Sequence, residues 1–146
     1  MTYEEYENLC KQQQEKNQEY LVIFERDLIQ AGLTQRTIKE HIFNVGFYIN
    51  TYLLRAEPLE MEEGCGVKIH SYLGDFFIRK CAWSSSGTIK TTAASIKKFY
   101  KCMSEHGYIS NNDYKVLCSF IKESMEIWQS DYEAYSKGDN LLGLFY

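Results

Sequence analysis

The sequence predicts an all-α fold, a single-domain bundle of four to five helices, on three observations. Apolar residues recur at helical spacing in one segment after another. Hairpin dipeptides (Asn-Gly, Asp-Gly) and sustained period-two runs are missing. One proline, Pro58, and nine glycines leave room for long helices. At 146 residues, with 45% hydrophobic and 15% aromatic content, the chain can bury one ordinary core and is too apolar for disorder.

The first helix is expected over Tyr3 to Ala31, in one or two pieces. Residues 1–19, including KQQQEKNQE, are polar all round and read as an exposed extension. From Tyr20 the pattern tightens into a stripe of Tyr20, Leu21, Phe24, Leu28 and Ile29, closed by Gly32 at the C-cap. Residues 20–136 then form the helical domain. Thr34 is a good N-cap for a second helix, Gln35 to Leu54, with Ile38, Ile42, Val45, Ile49 and Leu53 on its buried face. Arg55 to Gly66, RAEPLEMEEGCG, reads as an acidic solvated loop. A third helix is expected over about Val67 to Ala82, with Ile69, Leu73, Phe76 and Phe77 inward. The fourth, 86–106, begins after the serines of Trp83–Ser84–Ser85–Ser86 and ends at Gly107. Ser110 with Asp113 resembles a capping box for a fifth helix, Asn111 to Ser136, through Tyr114, Leu117, Ile121, Met125 and Trp128. Residues 137–146 form an apolar tail, which docks on the core or on a partner.

The fourth helix carries the strongest functional signal. Ile89, Ala93, Ile96, Tyr100 and Met103 make one apolar stripe, and Lys90, Lys97 and Lys101 make a second about 100° away, with Thr91 and Lys98 beside it. Net charge is −4, yet residues 76–104 hold six Lys/Arg and no acid, against seven Lys/Arg and 13 Asp/Glu in residues 1–75. Lysines neutralise phosphates and release counterions, and hydroxyls at a helix N-terminus bind phosphate oxygens. Ser85, Ser86, Lys90, Thr91, Lys97, Lys98 and Lys101 are therefore the candidate contacts to double-stranded DNA, with Arg36, Thr37 and Lys39 as the second helix's share. A solvated charged face is the alternative reading of the same residues.

Other chemistry is thinly represented. No run approaches the roughly 18 apolar residues of a membrane span, and the acidic N-terminus is the reverse of a secretory signal, so a cytoplasmic protein without membrane contact is expected. Five cysteines without a CxxC pair read as free thiols. Cys65 and His70 lack two further zinc ligands, and Glu57, Glu60, Glu62 and Glu63 lack the spacing of a calcium loop. Neither a metal nor another cofactor is expected. Trp83 reads as a plug at a helix junction rather than a stacking platform, and Phe99 and Tyr100 as core.

Leu33, Thr34, Thr37 and Ile38 open one helix; Thr88, Ile89, Ser95, Lys97, Phe99 and Tyr100 mark another that ends at Gly107 and Ile109. This order of parts, over about residues 20–125, resembles the N-terminal core-binding (SAM-like) domain of tyrosine recombinases and phage integrases. The resemblance implies groove and phosphate contacts from both helix starts, in DNA integration and recombination. Asn111-Asn112-Asp113 stands where that family usually has a proline. None of His41, His70 or His106 has arginine at +3, so the family's Arg, Lys, His-x-x-Arg and tyrosine catalytic set is missing and a non-enzymatic domain is expected. Its partner would be DNA, a second copy, or a separate catalytic recombinase chain. The competing expectation is an α-helical protein-interaction module, a homodimer for example, without a nucleic-acid role.

Overall fold

Stripes of apolar residues at a 3.6-residue period have to meet one another, and here they meet around a single aromatic-rich core. The computed structural model describes the backbone of residues 1–145 and the side chains of residues 1–138. Its elements are α1 (Tyr3–Gln30), α2 (Gln35–Gly46), α3 (Lys68–Ser71), α4 (Phe77–Lys80), α5 (Ser86–Glu105) and α6 (Asn111–Phe145). No strand occurs among the described residues. Nor is any described helix long and apolar enough to cross a membrane.

The expected starts and stops are made by the expected local chemistry. Thr34 Oγ1 accepts from Thr37 N at 3.2 Å, Ser85 Oγ from Thr88 N at 2.9 Å, and Ser110 Oγ from Asp113 N at 3.0 Å. Each satisfies a first-turn N–H that the helix itself leaves free. Gly32 and Gly107 take φ of 81° and 82°, the left-handed region that favours glycine, just beyond α1 and α5. Ile89, Ala93, Ile96, Tyr100 and Met103 are all buried, so the apolar stripe of α5 faces the core as the periodicity requires.

Four features depart from expectation. The polar half of the first helix, read as an exposed extension, buries Gln13 and Asn17. The second helix changes to a π-helical turn at Phe47–Tyr52, and α3 and α4 are likewise joined by a π-helical turn at Tyr72–Phe76. The segment expected as a solvated loop holds a 3₁₀ helix, Met61–Cys65, capped reciprocally by Glu60 and Glu63, with Met61, Gly64 and Cys65 buried. Finally, α6 continues past Ser136 to Phe145. The side chains of the LLGLFY tail lie outside the described residues.

The two π turns pack against each other through rings. Tyr72 lies 4.9 Å from Tyr48 and 4.8 Å from Tyr52, and Tyr52 lies 5.1 Å from Phe76 (centroid distances). Such offset and edge contacts contribute beyond area burial. Tyrosine hydroxyls must find acceptors when buried, and two of them hold the 3₁₀ helix. Tyr48 Oη donates to Gly64 O at 2.8 Å and Tyr100 Oη to Met61 O at 2.6 Å. Trp128 of α6 fills the space over Gly74, where a Cβ would lie 2.7 Å from the indole. Its Nε1 donates to His70 Nδ1 at 3.0 Å, which fixes that imidazole as an acceptor at Nδ1.

The polar half of α1 docks by hydrogen bonds. Asn17 Nδ2 donates to Ile49 O at 3.1 Å and to Asn50 Oδ1 at 2.8 Å, while Asn17 Oδ1 accepts from Gln13 Nε2 at 3.0 Å. Further out, Tyr6 Oη donates to Leu54 O. Burial of an amide is tolerable only with its partners in place, and here they are.

Candidate nucleic-acid interface

Helix α5 is half sunk in the protein. At about 100° per residue, its buried positions span one side, and Lys90, Lys97, Lys101 and Lys98 occupy the other. All four are exposed, and none lies within ion-pairing distance of a carboxylate among the described residues. The arc is not uniform. Lys90, Lys97 and Lys101 line the outer ridge, whereas Thr91 lies about 100° from them, toward α2. Lys98 lies on the α2 side as well, near enough to His41 to act on its charge.

Between α2 and α5 runs a cleft of about 570 Å³, lined by Lys39, His41, Phe43 and Asn44 from one helix and Thr88, Thr91 and Ser95 from the other. The structure thus brings Lys39 and Thr91, from two separate helix starts, to one groove. Arg36 stands further out and pairs with Glu40 at 3.5 Å. The Thr37 hydroxyl accepts from Thr34 Oγ1 at 3.0 Å. At the other start, the Ser85 hydroxyl is occupied as the cap and Ser86 Oγ donates to Glu133 Oε1 at 2.8 Å. A carboxylate of α6 therefore sits beside the first turn of α5, where the serine hydroxyls already have partners, and the exposed lysines carry the accessible positive charge.

The floor of the cleft holds a polar network. Ser95 Oγ lies 2.7 Å from His41 Nδ1 and accepts from Asn44 Nδ2 at 3.0 Å, with Thr91 O 3.2 Å away. The Ser–His distance is that of a nucleophile and its base. Ser95, however, is 1% exposed and Asn44 bonds the serine instead of orienting the histidine, so the trio joins α2 to α5. Burial, reinforced by the Lys98 charge, lowers the pKa of His41 below the ordinary imidazole value, with Glu40 opposing. Trp83, 42% exposed, closes one end of this region edge-on to Phe43 and Phe47, at 5.8 and 5.2 Å between centroids. It packs at the junction of α2 and the α4–α5 link while leaving part of its ring to solvent.

A second group of chemistry-bearing residues has no counterpart among the sequence motifs. Asp27, at the end of α1, lies with Oδ2 3.0 Å from Cys102 Sγ and 3.0 Å from His106 Nε2. Burial raises both acids, whereas the hydrogen bond between them lowers one and raises the other. The Cys102 hydrogen bond lowers the Asp27 pKa most, burial comes next and opposes it, and His106 adds to the lowering, while burial first and Asp27 second push the Cys102 thiol up. The Cys102-x-x-x-His106 spacing is legible in the sequence as one turn of helix. Asp27, 75 residues earlier, is not.

The other sulfurs and acids behave as bystanders. All five cysteines are free thiols. Burial pushes Cys65 up to about 12, and His70 is committed to Trp128. Glu60 and Glu63 serve the cap of the 3₁₀ helix, and Glu62 is raised chiefly by burial beside Tyr20.

No family model, curated protein or solved structure matches this chain.

Proposed function

We propose that the protein binds duplex DNA without chemistry of its own, in the manner of the recombinase core-binding domains it resembles. Lys90, Lys97, Lys98 and Lys101 would meet phosphates along α5, and Lys39 and Thr91 would approach from the cleft. The observation that carries this reading is the exposed arc of α5, four lysines without carboxylate partners among the described residues on one helix. At 1.5 Å per residue the arc from Lys90 to Lys101 is about 16 Å long, close to half a turn of duplex. The Ser95–His41–Asn44 network holds α2 and α5 at a fixed separation, so both helix starts would be presented to the backbone as one unit. The hydroxyls of Ser85, Ser86 and Thr91 already have partners within the protein, so these residues would add proximity to the backbone while the lysines supply the charge.

Fluorescence anisotropy of a labelled random duplex across a salt series tests this. Four to five neutralised phosphates give log K falling against log[salt] with a slope of about −4. The double variant Lys97→Glu/Lys101→Glu should lose most of the binding while keeping its helical circular dichroism. Absence of binding at low salt, or a double variant that binds like wild type, would retire the DNA reading.

A second reading, association through helices, draws on α6, where Val116, Ile127 and Tyr135 are exposed. Mass in solution separates the two: a dimer that dissociates in Ile127→Glu supports it, and a concentration-independent monomer removes it.

A further inference from the structure

We propose that Asp27, Cys102 and His106 form a binding site for one borderline-soft divalent metal ion of the zinc class. The three donor atoms, a carboxylate oxygen, a sulfur and an imidazole nitrogen, all lie within 4.8 Å of one another. Cys102 and His106 are one helical turn apart at the end of α5, so their side chains project from the same face. Asp27 reaches the same point from the end of α1, and its Oδ2 stands 3.0 Å from each of the other two donors.

The geometry is close to what such an ion needs. With bonds of about 2.0–2.3 Å, a tetrahedral zinc ion holds its donor atoms roughly 3.3–3.6 Å apart. The two Asp27 contacts would open by a few tenths of an ångström and the Cys102–His106 pair, within 4.8 Å, would adjust toward the same spacing, which side-chain rotation supplies. Sulfur with imidazole and a single carboxylate selects zinc or cobalt over magnesium or calcium, which prefer sets of oxygens.

Charge and access point the same way. A thiolate and a carboxylate together neutralise a divalent ion, and binding would release the thiol proton to solvent. Both α1 and α5 end here, at Gln30 and Glu105, so the negative ends of two helix dipoles converge on a position suited to a cation. Cys102 is 5% exposed, while the His106 and Asp27 side chains are 41% and 31% exposed. The ion would thus be held from the core side by sulfur and keep a solvent-facing fourth position for water. Its effect would be to clamp the end of α1 to the end of the lysine-bearing helix.

Cobalt(II) titration of the chelator-treated, reduced chain tests this directly. One equivalent should produce the thiolate-to-cobalt charge-transfer band with tetrahedral visible absorption, and zinc should abolish both. Cys102→Ser should lose the band, and the more exposed His106→Gln, which leaves the core intact, should weaken zinc at least about tenfold. The double variant Cys10→Ser/Cys118→Ser should titrate like wild type. A band that is missing in the wild type, or that survives Cys102→Ser and disappears with Cys10 and Cys118, would overturn the assignment. So would His106→Gln binding zinc as tightly as wild type.

Discussion

His41 shows how one side chain can make a helix pair sensitive to pH. Its imidazole sits in the α2–α5 cleft against the Ser95 hydroxyl, with Lys98 close by. Burial and that charge hold its folded pKa below the roughly 6.5 of a free imidazole. Between the two values the unfolded chain binds more protons than the folded one, so stability falls as pH drops through that window. Above about 6.5 the contribution is fully present. Thermal melts from about pH 7.5 to about pH 5.5 should show a decline in the wild type that His41→Gln lacks. Parallel curves would assign the effect elsewhere. The Asp27 and Asp75 carboxylates, lowered by the Cys102 hydrogen bond and by the Arg79 ion pair respectively, titrate at more acid values and do not confuse this window.

At the scale of elements, the informative junction is α1 against the π turn of α2. A π turn inserts a residue into the helical period, which rotates the rest of the helix and redirects backbone groups. Here that turn buries Tyr48, Ile49 and Tyr52, and Asn17 of α1 donates to the carbonyl of Ile49 and the side chain of Asn50. Replacing Asn17 by alanine leaves three polar partners short of a hydrogen bond, on the buried Gln13 and Ile49 and the half-buried Asn50. We expect a loss of about 1–3 kcal/mol in urea unfolding. A change within a few tenths would mean that water substitutes for the amide. Such a junction is not legible in the sequence, and the reason is physical. Caps at Thr34, Ser85 and Ser110 are contacts over three residues, written in the local order of side chains. Asn17 and Asn50 are 33 residues apart, and KQQQEKNQE looks like a solvated face until its partner is known. The segment Arg55–Gly66 looks like a solvated loop for a related reason. Its Glu60 and Glu63 are acidic and exposed, but the residues between and after them are held inward by tyrosine hydroxyls from α5 and the π turn.

For the whole molecule, periodicity carries the helical class and the buried face of α5, because a stripe of five apolar residues has no other stable destination. The same periodicity places the lysines on the opposite arc. What it does not contain is the convergence of distant elements: the shared cleft of α2 and α5, the contact of the two π turns, or the meeting of Asp27 with Cys102 and His106. Those depend on crossing geometry, which no local pattern encodes. The attachment of α1 has a further consequence. From Leu21 to Leu28 this helix is anchored by apolar burial, but toward its start it is held by a few hydrogen bonds, through Tyr6, Cys10 and Asn17. Water can replace such bonds one at a time, whereas an apolar seam opens all at once. The helix should therefore peel from its first turn and stall near Leu21, so that in native-state hydrogen exchange the amides of residues 7–14 lose protection before those of residues 21–28, well short of global unfolding. The molecule's loosest part would then be a helix that unwinds from its tip while its hydrophobic half stays clamped.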